Sequence, residues 1–539
     1  MADLDIPYEE DRGKFYRFFE MLPGMLSWTL LLTPVILSII NVYAVVLFIL
    51  IYILIYFVRS LAVNIRAVAG YRVMRHHMQL NWNELLADLE AGAVTKNIAE
   101  RPKWHVKNLD RVMKRDTRIK PSELTHAVII ATVNEAREVL EPTVQAVING
   151  NYDTKKMILV FAYEGRAGQA AQDRVNELIK LYGKHFKHAM AVQHPANIPG
   201  EIVGKGGNVT FAGRELKKYL EQHKYDPRKV VVTTLDSDNR PDPRYFSYLS
   251  YVYCVVHDPI RASFQPLAMF TNNIWDAPAP MRVIATGNNF FYIVLTQRPH
   301  LERNFSAHAQ SMQALIDMDF WSVRTIVEDG HHFWRSYFCY DGDYRVYPLS
   351  VPIYQDAVLA DGYIRTLKAQ FIQLRRWTYG ASDIAYIAHQ GFRTKHHKAP
   401  KVDVLAKLLR TLEGHVSWAV GAPLITFAAF IPPLFHPQVF AANLLPVTVS
   451  RIQTIGLIGG AASLFIALKT LPPRPERYKR HRSVFMLLQW AYLPVTTIVY
   501  GSTAALYSQT RLMLGKYIRK FDVTEKAVVT DEGTISNRT

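Results

Sequence analysis

The chain has 539 residues, a formal net charge of +17 and a hydrophobic share of 49% that is unevenly spread, enough for one large catalytic domain with further elements beside it. The positive balance comes with no zinc-ligand spacing, helix-turn-helix cue or aromatic RNA-binding box, so it does not indicate nucleic acid. Anionic lipid at a cytoplasmic face, or a pocket for a nucleotide diphosphate, accounts for it. Cys254 and Cys339 stand far apart and read as buried free thiols.

The chain opens with acidic residues (Asp3, Asp5, Glu9, Glu10, Asp11) and carries no A-x-A-like end, which argues against a cleaved signal peptide. After a cytoplasmic segment, 1–24, residues 26–58 are almost purely apolar and interrupted only at Asn41-Val42-Tyr43. A single span needs about 20 residues, so this stretch reads as a two-helix hairpin over 25–59. Arg59, Arg66, Arg72 and Arg75 follow and place its end in the cytoplasm. Residues 63–118 look helical and basic, and the linker 60–122 is expected to lie near the membrane surface.

Residues 126–133 form an apolar strand ending in Asn134-Glu135, a helical pattern follows, and a second strand over 157–163 ends in Glu164-Gly165-Arg166 before another helix. This β-α-β-α alternation predicts a parallel sheet whose strand ends face one cleft. Gly204-Lys205-Gly206-Gly207-Asn208 lacks P-loop spacing, yet small residues let backbone amides approach an anion at a helix start and Lys205 adds a charge. A flexible turn with a solvated lysine fits equally well. The β-branched run 230–234 ends in Asp236-Ser237-Asp238. Two carboxylates at the carboxyl edge of a strand suit one hard cation, Mg2+ or Mn2+, able to clamp a diphosphate; a polar turn after a strand uses the same residues.

Glu328 and Asp329 open a helical stretch, 331–337, either as favourable N-terminal charges or with one of them as a general base toward a sugar hydroxyl. His331 and His332 lack partner ligands at metal spacing. On the helix that follows, Gln373, Arg376 and Trp377 share a face offering an amide, a guanidinium for phosphate and an indole for stacking on a sugar. A basic interfacial helix anchored by tryptophan is the competing reading.

Beyond an interfacial helix at 401–415, apolar segments at 416–435 and 452–471 suggest a second hairpin, 416–471, returned to the cytoplasm by the basic run 474–482. Residues 483–514 are apolar, but one crossing would export the basic stretch 511–520. Pro494 and Gly501 interrupt the segment, and Gln489, Ser502, Gln509 and Thr510 make it polar for lipid. The region 472–515 is therefore expected to lie along the interface or to dip in and return, leaving the tail 516–539 cytoplasmic. A disordered basic tail is the alternative for its polar end, 530–539.

Taken in this order, strand-N-E, the strand-end acid, the K-G-G-N loop, D-x-D, E-D and Q-x-x-R-W resemble membrane-embedded family 2 glycosyltransferases, the group of cellulose, hyaluronan and chitin synthases. Phe521-Asp522-Val523-Thr524-Glu525-Lys526 resembles the F-x-V-T-x-K gating loop of the cellulose-synthase type. The resemblance implies an α/β fold in which a cytoplasmic GT-A domain, a Rossmann-like mixed sheet over 123–400, is inserted between transmembrane hairpins of a multi-pass plasma-membrane protein. It implies that Asn134, Glu135 and Glu164 line the nucleoside end of a UDP-sugar and that Lys205 sits near the nucleotide or its diphosphate. Asp236 would contact the nucleotide, and Asp238 would hold Mg2+ or Mn2+. Asp329, beside Glu328, would be the base; Gln373, Arg376 and Trp377 would frame the diphosphate and the acceptor; Thr524 and Lys526 would reach the donor diphosphate. Departures are Val327 in the usual Thr position, Glu164 where many relatives have Asp, Leu374 for a second Arg, and Ala527 for a final Gly.

These parts imply one displacement with inversion, giving a β-linked product from an α-linked donor. The acceptor would be a growing glycan or a glycolipid, and the bilayer a partner. The alternatives are a single-addition transferase acting on a lipid-linked acceptor, and a membrane transporter or scaffold that has lost catalysis. Intact acidic motifs, and the absence of charge inside 26–58, speak against the last.

Overall fold

The computed structural model describes residues 4–395, 397–529 and 535–536. Helix α1 (Lys14–Ile40) and α2 (Val42–His77) form the first hairpin, with Asn41 alone as the corner. Asn41 is extended, and its side-chain oxygen accepts from the amides of Tyr43 (2.9 Å) and Ala44 (3.1 Å), which stops one helix and caps the next.

Helices α3 (Trp82–Ala91) and α4 (Lys103–Met113) occupy the stretch expected along the membrane surface. They pack on the sheet domain: Trp82, Leu85, Leu89, Leu109 and Val112 enter its core, and Trp82 stacks on Tyr248 with ring centroids 4.1 Å apart. A buried carboxylate holds the two together. Asp88 accepts from Arg101 Nε at 2.6 Å and lies 3.1 Å from His105 Nε2. Loss of one partner from such a buried pair typically costs about 3–5 kcal/mol.

The sheet domain runs β1 (Thr125–Thr132), α5 (Arg137–Ile148), β2 (Met157–Glu164), α6 (Gln169–Tyr182), β3 (His188–His194), α7 (Lys205–Gln222), β4 (Val230–Asp236), β5 (Arg240–Pro241) and α8 (Tyr245–Val255). It continues with β6 (Ala262–Phe270), α9 (Ala279–Leu295), β7 (His308–Ser311), α10 (Met312–Asp317), α11 (Glu328–Cys339), β8 (Arg345–Gln355), α12 (Tyr363–Thr378) and α13 (Asp383–Arg393). The strand order is β3-β2-β1-β4-β7-β6-β8-β5. The first four strands are parallel, β7 runs antiparallel to β4 and β6, and β6 pairs parallel with β8, so the fold is a mixed α/β sheet. All eight residues of β1 are buried, as a parallel strand covered on both faces requires. Val128 and Ile130 face the layer of α3, α4 and α8, while Ala127 and Ile129 face the layer of α7 and α10.

Helix α14 (Lys401–Phe427) runs unbroken through the boundary expected near residue 415, and α15 (Ile431–Phe435) extends it. The return helix is α16 (Phe440–Thr470), which packs along α2. Among the described residues, four helical segments are long and apolar enough to cross a membrane: Lys14–Ile40, Val42–His77, Lys401–Phe435 and His481–Met513. His436 Nε2 meets the carbonyl of Ser38 (2.5 Å) at the end of the bundle far from the sheet, and Tyr56 lies against Gly421 partway down.

The fourth segment is broken into α17 (His481–Leu488), α18 (Leu493–Thr496) and α19 (Thr503–Met513), with a π-helical turn over Thr497–Ser502. Its polar residues are satisfied by protein. Gln489 accepts from Arg282 of α9 (2.5 Å), Ser508 meets Thr378 of α12 (3.0 Å), and Gln509 accepts from Ser27 (2.6 Å) and donates to the carbonyl of His415 (2.8 Å). Gly24 lets α19 approach α1: a Cβ there would stand 2.8 Å from the Gln509 carbonyl oxygen. Gly24 is about 24 Å from Ile40 at 1.5 Å per residue, so this contact sits at the sheet-side end of the bundle. Nearby, buried Glu20 accepts from Arg12 (3.1 Å), from Arg17 and from Tyr517 (2.8 Å), tying the first helix to the tail.

Candidate active site

The carboxyl ends of β1, β2 and β4 open on a cavity of about 930 Å3. Each motif reaches it for a local reason. Lys205 is the first residue of α7, and Asn208, one turn on, donates to the carbonyls of Ala162 (2.9 Å) and Thr132 (3.3 Å), pinning the helix start to the ends of β2 and β1. Gly206 and Gly207 allow this: a Cβ on the first would meet the Ser322 carbonyl, and on the second Glu201 Oε2. The pinned Lys205 Nζ then lies 2.6 Å from Asp236 Oδ1, and Ser306 donates to the other oxygen. Burial opposes the charge on Asp236, but Lys205 and Lys526 outweigh it and hold the carboxyl well below the usual range.

Asp238 is almost fully buried, and one of its oxygens accepts from the Asp356 amide (3.1 Å). Asp356, just past β8, is the acid that sequence reasoning missed; it belongs to no motif and meets Asp238 only through the sheet. Burial and the neighbouring charge of Asp238 push its carboxyl up to about 6, and its Oδ1 is buried without a hydrogen-bond partner. Two buried carboxylates, one of them with an orphaned oxygen, fit a divalent cation.

Glu328 and Asp329 begin α11, where Asp329 accepts from the Gly330 amide at 2.7 Å. Burial and the charge of Asp329 push Glu328 up to about 8. Burial also raises Asp329, with Lys205 opposing the shift. Burial thus raises both carboxyls of the pair, and the charge of Asp329 adds to the rise at Glu328. The next residues are structural, with His331 Nδ1 2.8 Å from Asp383 and His332 Nε2 2.5 Å from Gln310.

From the opposite wall, Gln373, Arg376 and Trp377 of α12 line the cavity together. Burial lowers the Arg376 guanidinium, while Glu328, Asp236 and Asp329 act to keep it charged. It donates to the Asp522 carbonyl (2.7 Å) and stacks over Phe521 at 3.8 Å. The tail forms a strap across the cavity, bridged to Val203 at Lys520 and to Leu359 at Lys526. Lys526 Nζ donates to Ser237 Oγ (2.8 Å), and Thr524 Oγ1 is buried with no hydrogen-bond partner among the described residues.

Glu135 and Glu164 line the cavity at the ends of β1 and β2, the first folded back on Thr132 and the Val133 amide (2.7 Å each). Glu164 Oε2 lies 3.2 Å from His194 Nδ1, whose other nitrogen faces Glu201 at 2.9 Å; burial opposes charge on the ring, but the two acids raise it. Every sequence-predicted site residue lines the cavity except Asn134, which is exposed beside it. The polar tail end lies outside the described residues, apart from the short pairing of β9 (Val528–Val529) with β10 (Ile535–Ser536).

No family model matches the chain, and no curated protein matches it in sequence. Among solved structures it is similar to a mannosyltransferase, PcManGT, from Pyrobaculum calidifontis in complex with GDP-Man and Mn2+, at 14% identity and a TM-score of 0.39, over 84% of this chain and 100% of that one. It is also similar to residues 1–349 of TarS from S. aureus in complex with UDP-GlcNAc, at 10% identity and a TM-score of 0.37, over 76% and 96% of the two chains.

Proposed function

We propose that the chain is an inverting membrane glycosyltransferase with a GT-A-type domain, moving a sugar from a nucleotide-diphosphate donor, a UDP-sugar, to a hydroxyl of a growing β-linked glycan. One observation carries this: Asp236 and Asp238 at the end of β4, Asp329 of α11, and Arg376 and Trp377 of α12 converge on one cavity. Asp236 and Lys205 bind the nucleotide side, with Glu135 and Glu164 at the nucleoside end. Asp238 and Asp356 would hold Mg2+ or Mn2+, which when bound supplies countercharge to the diphosphate. Asp329 takes the acceptor hydroxyl proton as that oxygen bonds to the anomeric carbon; the bond from that carbon to phosphate breaks, and the nucleoside diphosphate leaves with the electron pair. Arg376 faces the charge that develops there, and Lys526 and Thr524 close the pocket and exclude water.

The same cavity reaches Tyr56 of α2 and Trp418 of α14, which supports passage of the glycan into the bundle and its secretion at the plasma membrane. The deciding experiment incubates the purified protein, in lipid nanodiscs, with a panel of labelled nucleotide sugars and sizes the product. The expected outcome is transfer from one UDP-sugar into a β-linked product; absence of transfer from every donor would overturn the reading.

A further inference from the structure

The end of the cavity that faces the helix bundle is built of arginines. Arg298 and Arg303, from the loop after α9, and Arg410, from α14, all line it. Arg59 of α2 joins them but is paired with Glu413 at 2.6 Å. The side chains of Arg298 and Arg410 have no hydrogen bond or ion pair among the described residues. Arg303 is stacked on Phe333 (4.1 Å) and Trp334 (4.7 Å) and gives one hydrogen bond, to the Glu302 carbonyl (2.9 Å). Burial lowers the Arg303 guanidinium and Arg410 adds to this, with Glu302, itself pushed up to about 8 by burial, and Asp403 opposing. Burial and the positive charges of Arg66, Arg410 and Arg59 act against the charge on Arg298, with Glu413 alone opposing among the causes and already paired to Arg59. Guanidiniums held against their mutual repulsion, with donors unspent, form a site for a phosphate.

The rim of this site is apolar. Val63, Phe291 and Trp418 line the same end while remaining exposed, at the level where α2 and α14 enter the bundle. A ligand satisfying both features is an amphiphile with a phosphate head. Trp334, under Arg303, follows Asp329 by five residues of α11, about 8 Å along the axis, which leaves room for a sugar between the head and that carboxylate.

We propose that the acceptor glycan is carried on a lipid phosphate or diphosphate whose head is held by Arg298, Arg303 and Arg410, with its hydrocarbon chain against α2 and α14. This rests on the transferase reading above and names its acceptor. The test uses the intact protein in nanodiscs of uncharged phosphatidylcholine, with a fluorescent polyprenyl phosphate as probe and the matching polyprenol as control. The phosphate is expected to bind about tenfold or more tighter than the alcohol. In the double variant Arg298→Gln/Arg410→Gln that preference shrinks to about twofold or less, whereas Arg298→Lys keeps most of it. UDP binding on the same samples stays unchanged. Equal binding of phosphate and alcohol would overturn the proposal, as would a preference unaltered in the double Gln variant. Displacement by inorganic phosphate at similar concentration would instead make this a free-anion site, and equal competition by phosphatidylglycerol a general headgroup site; either outcome overturns it. Failure to bind or turn over any nucleotide sugar would sink the transferase reading while leaving the probe result standing.

Discussion

Lys526 and Asp238 meet head to head, Nζ of the strap lysine 2.9 Å from Oδ1 of the buried acid. The lysine thus sits where a divalent cation would bind, and burial's cost to its charge is outweighed by Asp238 and Glu135, which raise it above its ordinary value. A cation and this ammonium compete for one carboxylate. Lys526→Ala is therefore expected to lower turnover by about tenfold or more, since the closed pocket loses a charge on the diphosphate. In the same variant, Mn2+ affinity without donor, read by electron paramagnetic resonance, should hold or rise. A weaker Mn2+ site would show that the lysine supports the cation rather than displacing it.

Asp356→Asn should be nearly as damaging as Asp238→Asn, each costing about 100-fold or more in transfer while the protein still folds and inserts. Steady-state rates at rising Mn2+ test it. Near-normal activity in either variant would remove that acid from the cation site.

Asp329→Asn should block transfer yet leave donor affinity by calorimetry within about twofold, because a base acts on the acceptor in the transition state. Since burial raises Asp329 and only its ionised form accepts a proton, the acid limb of the rate profile should lie above the ordinary aspartate range. Glu328 supplies the other limb: ionising near about 8, it adds a second negative charge where a diphosphate must leave, so activity falls there. Glu328→Gln should abolish that alkaline fall. The same raised carboxyl weakens the fold as pH rises from about 4.5 to about 8, where the unfolded chain has released the proton and the folded one has not.

The polar contacts of α17–α19 are made with α9, α12 and the sheet-side ends of α1 and α14. A cysteine replacing exposed Lys516 should therefore resist impermeant maleimide applied to intact cells. Labelling from outside would mean that the segment crosses.

Much of this site is written locally. The β-branched run before Asp236 can only be a strand, the single polar break at Asn41 can only be the corner of an apolar hairpin, and the three-four spacing of Gln373, Arg376 and Trp377 fixes one helix face. What stays hidden is set by partners distant in the chain. Asp356 follows a strand like any loop acid and gains its role from Asp238, 118 positions earlier. Trp82 and Leu85 look like membrane-surface residues until Tyr248 provides an apolar wall for them. The basic cluster of Arg298, Arg303 and Arg410 joins two loop residues to one more than a hundred positions on, and no spacing announces it.

The strap is the last site element along the chain, yet it lies over all the others and is stitched through Tyr517 to Glu20 of the first helix. A ribosome works in the opposite order, releasing acids, base and α12 before the lid that covers them. A nascent chain stalled just before Tyr517 would already hold Asp236, Asp238 and Asp329, but with the cleft uncovered and Glu20 short of one donor. The walls of the cleft are thereby made before the segment that covers them.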